Sequence, residues 1–505
     1  MLEGMIGIVG CGQMGVGIAQ VAAQAGYRVV LHDARPDAAS TARGVLAETW
    51  GRLVAKERLA PQAADAAMER LEVAADMEGL ARCEVVVEAI VENLDAKRGL
   101  FAALERVLAP EAILATNTSS LSVTAIAAAL QRPERVAGFH FFNPVPLMKV
   151  VEVVDGLLTA PPVGDRLAAL ATAWGHTAVR AKDTPGFIVN HAGRGFGTEG
   201  LRVLAENIAP LAVIDRVLRD CAGFKLGPFE LLDVTGLDVS TPVMESIYHQ
   251  YYEEPRYRPQ PILRTMQAAG LLGRKTGRGF YSYGEGGSGG SRGVADRTWT
   301  SAPAGRVWIS PARPDLADKV SGIVRLCGGQ VSTASLPEDD ALIVVTPLGE
   351  DTAACVQAQG LDAARTVAVD ALFPMDRRRV LMSSPALTPE WAERAGALFA
   401  ADGVPVDMVR DSAGMIAQRV VAHIINIACE IAQQGIATPT DIDRAVTLGL
   451  AYPAGPLDWG DRIGGTVLLD LLDTLHRTTA DPRYRPSAWL RRRAHLNLSL
   501  LAEEI

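Results

Sequence analysis

The chain has 505 residues, of which 49% are hydrophobic and 21% charged, a composition typical of a globular protein with several domains. Its net charge of −9 argues against nucleic-acid binding, no apolar run reaches membrane-spanning length, and no basic region precedes an apolar stretch near the start, so no secretory signal is expected. The six cysteines are scattered without metal-ligand spacing, which favours a cytoplasmic location and no structural zinc or other metal site.

The first apolar segment predicts a dinucleotide site. A strand ending at Val9 leads into the pattern Gly-x-Gly-x-x-Gly, and a helix of small residues follows. The first glycine permits a tight turn, the second lets the backbone approach a pyrophosphate, and the third lets helix and strand pack closely. The residues expected to hold the cofactor in this turn are Gly10, Gly12, Gln13, Met14 and Gly15.

Asp33 ends the second predicted strand and bears on the choice of cofactor. A carboxylate at this place accepts hydrogen bonds from the ribose hydroxyls of NAD and repels the 2′-phosphate of NADP. Arg35 could reach such a phosphate, but Pro36 follows it, and we expect Arg35 to turn away into a loop. The sequence therefore predicts NAD as the cofactor.

The rest of the chain predicts five regions. Alternating strand-like and helix-like segments predict a Rossmann-type, mostly parallel sheet, a helical region follows, and the Gly- and Ser-rich run 284–291 indicates a flexible linker. The predicted boundaries are 1–182 for the dinucleotide-binding domain, 183–284 for the helical domain, 285–304 for the linker, 305–410 for a degenerate Rossmann-like segment, and 411–505 for a second helical domain.

The second helical domain is predicted because short motifs of the first recur later in the chain, each displaced by the same interval. The repeated pairs are Asp183–Ile188 with Asp411–Ile416, Ile214–Arg216 with Ile442–Arg444, and Gly227-Pro228 with Gly455-Pro456. In the segment 305–410, the predicted strand Val307–Ile309 leads into Ser310-Pro311-Ala312 without a glycine motif. We therefore expect no cofactor in this segment.

His140 and Glu152 are the strongest candidates for catalysis. The histidine ends one apolar strand and the glutamate lies within another, where a buried carboxylate is costly unless it is paired. A carboxylate that holds one imidazole nitrogen leaves the other free to accept a proton. From these residues alone, a core histidine bonded to the backbone remains the better interpretation.

The order of the motifs resembles the L-3-hydroxyacyl-CoA dehydrogenase family over the whole first half. The duplicated tail is similar to the long bacterial form of the family, associated with phenylacetate breakdown and 3-hydroxyadipyl-CoA. The motifs that carry the resemblance are the glycine turn, Asp33, Asn117–Ser120, His140–Pro144, Asp183–Asn190 and Gly273–Tyr281.

The resemblance implies roles for individual residues, and it implies the Rossmann and helical folds. It makes His140 the general base and Glu152 its partner, and it places Ser119 and Asn190 at the reacting oxygen. It adds to the cofactor site Glu92, Lys97, Ser119, Asn143 and Lys275, and it places Thr49, Lys56 and Ser119 toward coenzyme A. From the sequence alone, Lys56 and Lys97 more commonly belong to solvated helix faces.

Three interpretations follow from this. The leading one is NAD-dependent oxidation of a 3-hydroxyacyl-CoA in fatty-acid or phenylacetate catabolism. Its alternatives are a dehydrogenase of a small hydroxy or sugar acid, and a non-enzymatic NAD-binding relative. The second half has Gln418 in place of Asn190 and is interpreted as non-catalytic. Because the family pairs its helical domains as homodimers, the two repeats predict a pseudo-dimer within one chain, with a further homodimer left open.

Overall fold

The computed structural model describes residues 4–284 and 295–504. It confirms the predicted fold class: there are two α/β regions, each built on one sheet, and each is followed along the chain by a helical region. The strands are apolar and buried almost throughout, as expected where helices cover both faces of a parallel sheet.

The first sheet has eight strands in the order β3-β2-β1-β4-β5-β6-β7-β8, and β7 runs antiparallel to β6. The strands are β1 Met5–Val9, β2 Arg28–His32, β3 Leu71–Val73, β4 Val85–Glu88, β5 Ile113–Thr116, β6 Val136–Phe141, β7 Val150–Asp155 and β8 Thr177–Lys182. The helices along this region are α1 Gln13–Gln24, α2 Ala38–Ala55, α3 Pro61–Glu69, α4 Leu94–Val107, α5 Val123–Ala127 and α6 Pro161–Ala173.

The first helical region follows directly. Its helices are α7 Val189–Ala192, α8 Arg194–Ala205, α9 Leu211–Asp220, α10 Pro228–Thr235, α11 Leu237–Gln250 and α12 Ile262–Ala268.

The second sheet has six strands in the order β10-β9-β11-β12-β13-β14, and β13 runs antiparallel to β12. The strands are β9 Arg306–Ile309, β10 Gln330–Val331, β11 Leu342–Val345, β12 Thr366–Val369, β13 Arg379–Ser383 and β14 Val406–Arg410, with helices α13 Pro314–Leu326, α14 Thr352–Gln359 and α15 Pro389–Phe399. This sheet has fewer strands than the first, but it also contains one antiparallel strand pair, β12–β13, which corresponds to β6–β7.

The second helical region reproduces the first at the interval predicted from the sequence. Its helices are α16 Ala417–Gln433, α17 Pro439–Leu450, α18 Pro456–Ile463, α19 Gly465–Thr479 and α20 Ala488–Leu496. Helices α17, α18 and α19 begin at the same interval after α9, α10 and α11, respectively, and this interval is also the one that separates the repeated motifs. The repeat seen in the sequence is therefore a repeat of helices.

The chain forms two compact units, and their composition departs from the order of the sequence. One unit holds the chain up to His191 together with Ile431–Leu450, so the first sheet is packed with α17 from the second repeat. The other unit holds Ala192–Glu430 with Ala451–Glu504. The second sheet thus shares its unit with α8–α12 of the first repeat, and the first sheet shares its unit with α17 of the second repeat.

Two equivalent backbone hydrogen bonds join the edge strand of each sheet to the opposite repeat. In the first unit, the N–H of Lys182 donates to the carbonyl of Ile436 over 2.8 Å. In the second unit, the N–H of Arg410 donates to the carbonyl of Ile208 over 3.0 Å. The repeat interval relates Lys182 to Arg410 and Ile208 to Ile436, so each edge strand, β8 and β14, is met by the opposite repeat.

Within the second unit, a buried ion cluster joins the helices of the two repeats. Glu199, on α8, is fully buried and accepts hydrogen bonds from the guanidinium groups of Arg419 and Arg483, at 2.9 Å in each case. Burial alone would raise the pKa of Glu199, but the two arginines hold it well below its usual range. A charged group buried this deeply is stable only because it is paired.

The predicted linker differs from the structure in its second part. Residues 285–294, which include most of the Gly- and Ser-rich run, lie outside the described residues. Residues 295–304 are mostly exposed, but the segment is attached at Trp299, whose ring lies against Gly396 of α15 so closely that a Cβ there would be 2.2 Å from it. A large apolar side chain docked in this way fixes the segment to the second α/β region.

Among the described residues, no helix is long and apolar enough to cross a membrane. No cluster of His, Cys, Asp or Glu in these residues is arranged to hold a metal ion. All six cysteines are buried free thiols.

Candidate active site

The turn between β1 and α1 has the form that a dinucleotide cradle requires. Gly10 has φ of +99°, and a Cβ on Gly15 would lie 1.8 Å from the Gly10 carbonyl oxygen, so neither place accepts a side chain. A Cβ on Gly12 would meet nothing within 4 Å, and Gly12 caps α1 without a side-chain hydrogen bond. The start of α1 thus presents bare backbone to an open space, which suits a pyrophosphate.

Asp33 lies beside this turn, and its surroundings correct one prediction. Its Oδ2 accepts a hydrogen bond from the N–H of Cys11 over 2.7 Å. Arg35 does not turn away, because its guanidinium donates to both Asp33 oxygens at 3.0 Å. This pairing keeps the pKa of Asp33 well below its usual range. Two residues of loop are enough for the arginine to fold back onto a carboxylate, which attracts it more strongly than the following proline restrains it.

His140 and Glu152 form a buried pair on adjacent antiparallel strands. They stand opposite each other in β6 and β7, and the imidazole Nδ1 lies 2.6 Å from Glu152 Oε2. The other carboxylate oxygen, Oε1, accepts the backbone N–H groups of Ile188 and Val189, each at 2.8 Å. The glutamate is fully buried and the histidine 5% exposed. The carboxylate is therefore fixed on both sides, and it fixes the ring in turn.

Glu88 and Lys97 form a second buried ion pair, in which Glu88 is a residue that no motif singled out. Lys97 is 1% exposed, and its ammonium lies 2.5 Å from Glu88 Oε1 and 3.3 Å from Glu92 Oε2. Glu88 also accepts the hydroxyl of Thr116 over 2.7 Å. Lys97 thus lies in the interior and not on a solvated helix face. An acid at the end of an apolar strand, as at Glu88, was the available signal.

Glu92 organises the loop that carries Ser119. Its Oε1 accepts the Thr118 hydroxyl over 2.6 Å and the N–H groups of Ser119 and Ser120 over 2.9 and 3.0 Å. Burial by itself would raise the pKa of Glu92, but the Thr118 hydrogen bond and the Lys97 charge lower it below its usual value. Glu92, Lys97 and Ser119 are thereby brought together as one network.

Asn117 is a further residue of this region with a defined contact. Its side-chain oxygen accepts the N–H of Phe141 over 2.8 Å, which ties β5 to the strand carrying His140. Asn143, two residues beyond β6, is exposed at the start of the next loop. This contact joins the loop that carries Ser119 to the strand that carries His140. No motif spacing in the sequence indicated the contact.

The remaining candidates are placed as follows. Asn190 is half-buried in α7, next to the Val189 N–H that holds Glu152. Thr49 and Lys56 lie at the end of α2, where Lys56 is exposed. Lys275 belongs to the other compact unit, where its ammonium is paired with the carboxylate of Asp238.

The second sheet has other side chains at the matching places. Asp155 faces Lys182 across β7 and β8 just as Ser383 faces Arg410 across β13 and β14, which fixes the alignment of the two sheets. In that alignment Val380 stands where the first sheet has Glu152, and Asp370 stands where it has His140.

Asp370 is held internally. It is buried, and the side-chain amide of Gln418 donates to its Oδ1 over 3.0 Å. The oxygen of the same amide group accepts the N–H of Gly349 over 3.1 Å. Gln418 thus takes the sequence place of Asn190 and uses its amide within the core.

A dinucleotide turn on the same sheet as a buried His–Glu pair defines an oxidoreductase of the Rossmann class. Comparison with known families makes this more specific. The model of the 3-hydroxyacyl-CoA dehydrogenase NAD-binding domain matches residues 5–184, and that of the 3-hydroxyacyl-CoA dehydrogenase C-terminal domain matches residues 186–283 and 414–499. The chain belongs to the 3-hydroxyacyl-CoA dehydrogenase family.

Individual relatives agree with this assignment. The chain is 38% identical over 494 residues to a 3-hydroxyadipyl-CoA dehydrogenase of Escherichia coli, covering 97% of each chain. It is 41% identical over 277 residues to a probable 3-hydroxybutyryl-CoA dehydrogenase of Deinococcus radiodurans, covering 55% of this chain and 99% of that one. A crystal structure of an Escherichia coli 3-hydroxybutyryl-CoA dehydrogenase matches with a TM-score of 0.87 at 34% identity, over 98% of this chain and 99% of that chain.

Proposed function

We propose that this protein catalyses the NAD-dependent oxidation of an L-3-hydroxyacyl-CoA to the 3-ketoacyl-CoA. The observation that carries the proposal is the buried His140–Glu152 pair, with Nδ1 at 2.6 Å from the carboxylate, on the sheet that also bears the glycine turn. Membership of the family supplies the substrate class.

The pair accounts for the proton transfer. Because Glu152 accepts the Nδ1–H of His140, the other ring nitrogen, Nε2, is the one left to accept the proton of the substrate hydroxyl. The buried carboxylate also stabilises the positive charge that the ring then acquires. We assign His140 as the general base and Glu152 as the group that orients it.

Ser119 and Asn190 are proposed to hold the alcohol oxygen. The Ser119 backbone is fixed by Glu92 over 2.9 Å, and Asn190 follows directly after the two N–H groups that hold Glu152. Both are therefore attached to elements with little freedom, as orientation of a substrate requires. Thr49 and Lys56 on α2 are proposed to meet the phosphates of coenzyme A.

The residues present fit a dinucleotide. The open space above Gly12 and the uncapped start of α1 suit the pyrophosphate, and the Asp33 carboxylate suits the ribose hydroxyls, which favours NAD over NADP. We assign to the cofactor site the turn Gly10–Gly15, Asp33, Asn143 and Lys275, together with the network of Glu92, Lys97 and Ser119. When bound, NAD supplies the acceptor for the hydride of the alcohol carbon.

The assay that tests this proposal follows NADH absorbance with acetoacetyl-CoA. Turnover with the CoA thioester and none with free acetoacetate is expected. Oxidation releases one proton, so the equilibrium ratio of ketone to alcohol should rise about tenfold per pH unit. A ratio independent of pH, or turnover of the free acid alone, would contradict the proposal.

The acyl group is proposed from the relatives. Those named above act, by their names, on hydroxyadipyl or hydroxybutyryl groups, and this chain matches the first of these over nearly its whole length. We propose a short acyl group, straight or ending in a carboxylate, and a place in fatty-acid or phenylacetate catabolism. The ratio of kcat/KM for 3-hydroxyadipyl-CoA and 3-hydroxybutyryl-CoA decides between them.

The six buried free thiols are consistent with a reducing, cytoplasmic setting.

The two helical repeats are proposed to form a pseudo-dimer within one chain, with 1–182, 183–284, 305–410 and 411–505 as the domains and 295–304 attached to the second α/β region. The Glu199 cluster, which joins the two repeats, and the packing of α17 with the first sheet support this. We expect one NAD per chain in calorimetric titration, and we expect a fragment ending near Gly284 to expose an apolar face and self-associate or aggregate. Two NAD sites, or a well-behaved monomeric fragment, would contradict it.

A further inference from the structure

Helix α17 belongs by sequence to the second repeat, yet it packs against the edge of the first sheet. Besides the Lys182–Ile436 bond, the carboxylate of Asp441 on α17 accepts the N–H of Arg180 on β8 over 3.2 Å. The helix is therefore attached at its start to the strand next to β7, which carries Glu152.

The other end of α17 reaches the residues that hold Glu152. A Cβ added to Gly449 would lie 3.0 and 3.1 Å from the two methyl groups of Val189, and 3.5 Å from a methyl of Val150. Val189 is 1% exposed, and its N–H is one of the two that bind Glu152 Oε1. Val189 thus links Gly449 to the Glu152 carboxylate.

We infer that the second repeat completes the active site of the first half, with α17 as the positioning element and Gly449 as its point of contact. This inference rests on the proposed function. Helix α17 packs behind Val189, in what we call the wall, and fixes the position of the Val189 N–H. This N–H holds the Glu152 carboxylate in place, and the carboxylate in turn fixes the orientation of the His140 ring. The second half of the chain therefore contributes to catalysis in the first half, by positioning the residues that hold Glu152.

The matching place in the other half carries a side chain, unlike Gly449. The repeat interval relates Gly449 to Cys221 and Val150 to Arg378. Cys221 contacts Arg378, the residue that matches Val150: its thiol lies 3.7 Å from the Arg378 carbonyl oxygen. A side chain is accommodated there, beside a strand that has Val380 in place of a carboxylate. At Gly449 an added Cβ would lie 3.0 Å from Val189, so Val189 would have to shift before a side chain could fit.

The experiment places Gly449→Ala in the full chain and measures steady-state kinetics with acetoacetyl-CoA and NADH. The added methyl group must displace Val189 by a few tenths of an ångström, so we expect kcat to fall about tenfold. KM for both substrates should stay within about twofold, because the atoms nearest to the added Cβ belong to Val189 and Val150, which are assigned to neither substrate. With deuterated NADH, the isotope effect on kcat should rise as the chemical step becomes slower.

A double variant separates positioning from general damage. Val189→Ala removes the methyl groups that the new Cβ meets, so Gly449→Ala in that background should cost less than twofold in kcat. Leu448→Ala changes the exposed neighbour on the same helix, and Cys221→Ala changes the matched place in the other half. Both controls should keep kcat within about twofold of the wild type.

The outcomes are distinct. Unchanged kcat in Gly449→Ala overturns the inference, and so does an equal loss of kcat with and without Val189→Ala. If Gly449→Ala does not fold, Val189→Ala alone provides the test, since loosening the wall should lower kcat and leave KM unchanged. An inactive wild type, or a His140→Gln variant with full activity, would instead refute the proposed function.

Discussion

The two sheets of this protein share a scaffold and differ in the chemistry attached to it. In the first, the strand pair β6–β7 brings together His140 and Glu152. In the second, the pair β12–β13 has the same antiparallel register but brings together Asp370 and Val380. The second pair therefore lacks the His–carboxylate arrangement that the first pair has.

The contacts that hold each strand in place are nevertheless alike. Arg135, before β6, donates to the carbonyls of Ala109 and Ala112, and Arg365, before β12, donates to that of Ala341 in the same manner. The carboxylates of Asp183 and Asp411 likewise accept backbone N–H groups from the starts of α5 and α14. Both sets of contacts satisfy buried backbone groups, which are costly to leave without a hydrogen-bond partner.

The largest difference should appear on replacing the two aligned residues. His140→Gln removes the proton acceptor and should lower kcat by roughly 10²–10⁴-fold, with NAD affinity retained. Asp370→Asn, at the matching place in the second sheet, should leave kcat within about twofold. Steady-state kinetics and NAD titration measure both. Activity of His140→Gln within a few-fold of the wild type would contradict the role of His140 as the general base.

Cofactor choice should depend on the first sheet alone. Asp33→Ala removes a charged acceptor for the ribose hydroxyls, so the preference for NAD over NADP should shrink by about 10- to 100-fold in kcat/KM. Arg35→Ala is the matched control, because it frees Asp33 while keeping its charge, and the preference for NAD should persist. Equal use of both cofactors by the wild type would contradict the role of Asp33.

The buried acid of the second sheet should reveal itself in stability. Burial raises the pKa of Asp370 to about 6, above the ordinary value of 3.8, so the folded protein binds this proton more tightly than the unfolded chain does. The cost of ionising it is absent below pH 4, grows between pH 4 and 6, and is constant above, on the order of 2–3 kcal/mol. Asp370→Asn should therefore be more stable than the wild type at pH 8 and lose that gain at pH 4. Urea unfolding at both values tests this, and a difference independent of pH would count against it.

The smallest effect is expected at the exposed lysine of α2. Lys56→Ala should raise KM for the acyl-CoA about two- to fivefold at low salt and leave kcat and KM for NAD unchanged. The effect should fade as ionic strength rises, since exposed charges are screened. Lys225→Ala, an exposed lysine in the other unit, serves as the control. Equal effects of the two substitutions would remove Lys56 from the coenzyme A site.

Local rules in the sequence determined the glycine turn, the alternation of strands and helices, and the repeat. Gly10 and Gly15 are required by a positive φ and by a 1.8 Å approach, constraints that depend on neighbouring backbone and are therefore legible in a motif. The pairing of His140 with Glu152 was open on residues alone. The resemblance to the family favoured it, and the register of two adjacent strands placed the two side chains opposite each other.

The tertiary structure alone decided which elements share a unit. Nothing in the spacing of the repeats indicates that α17 packs on the first sheet, that Gly449 meets Val189, or that Glu88 takes Lys97 into the interior. Each of these contacts joins residues brought together by long-range packing, and such contacts leave no periodic or motif signal in the chain. Arg35 shows the same at short range, because the charge of Asp33 outweighed the local preference that the sequence suggested.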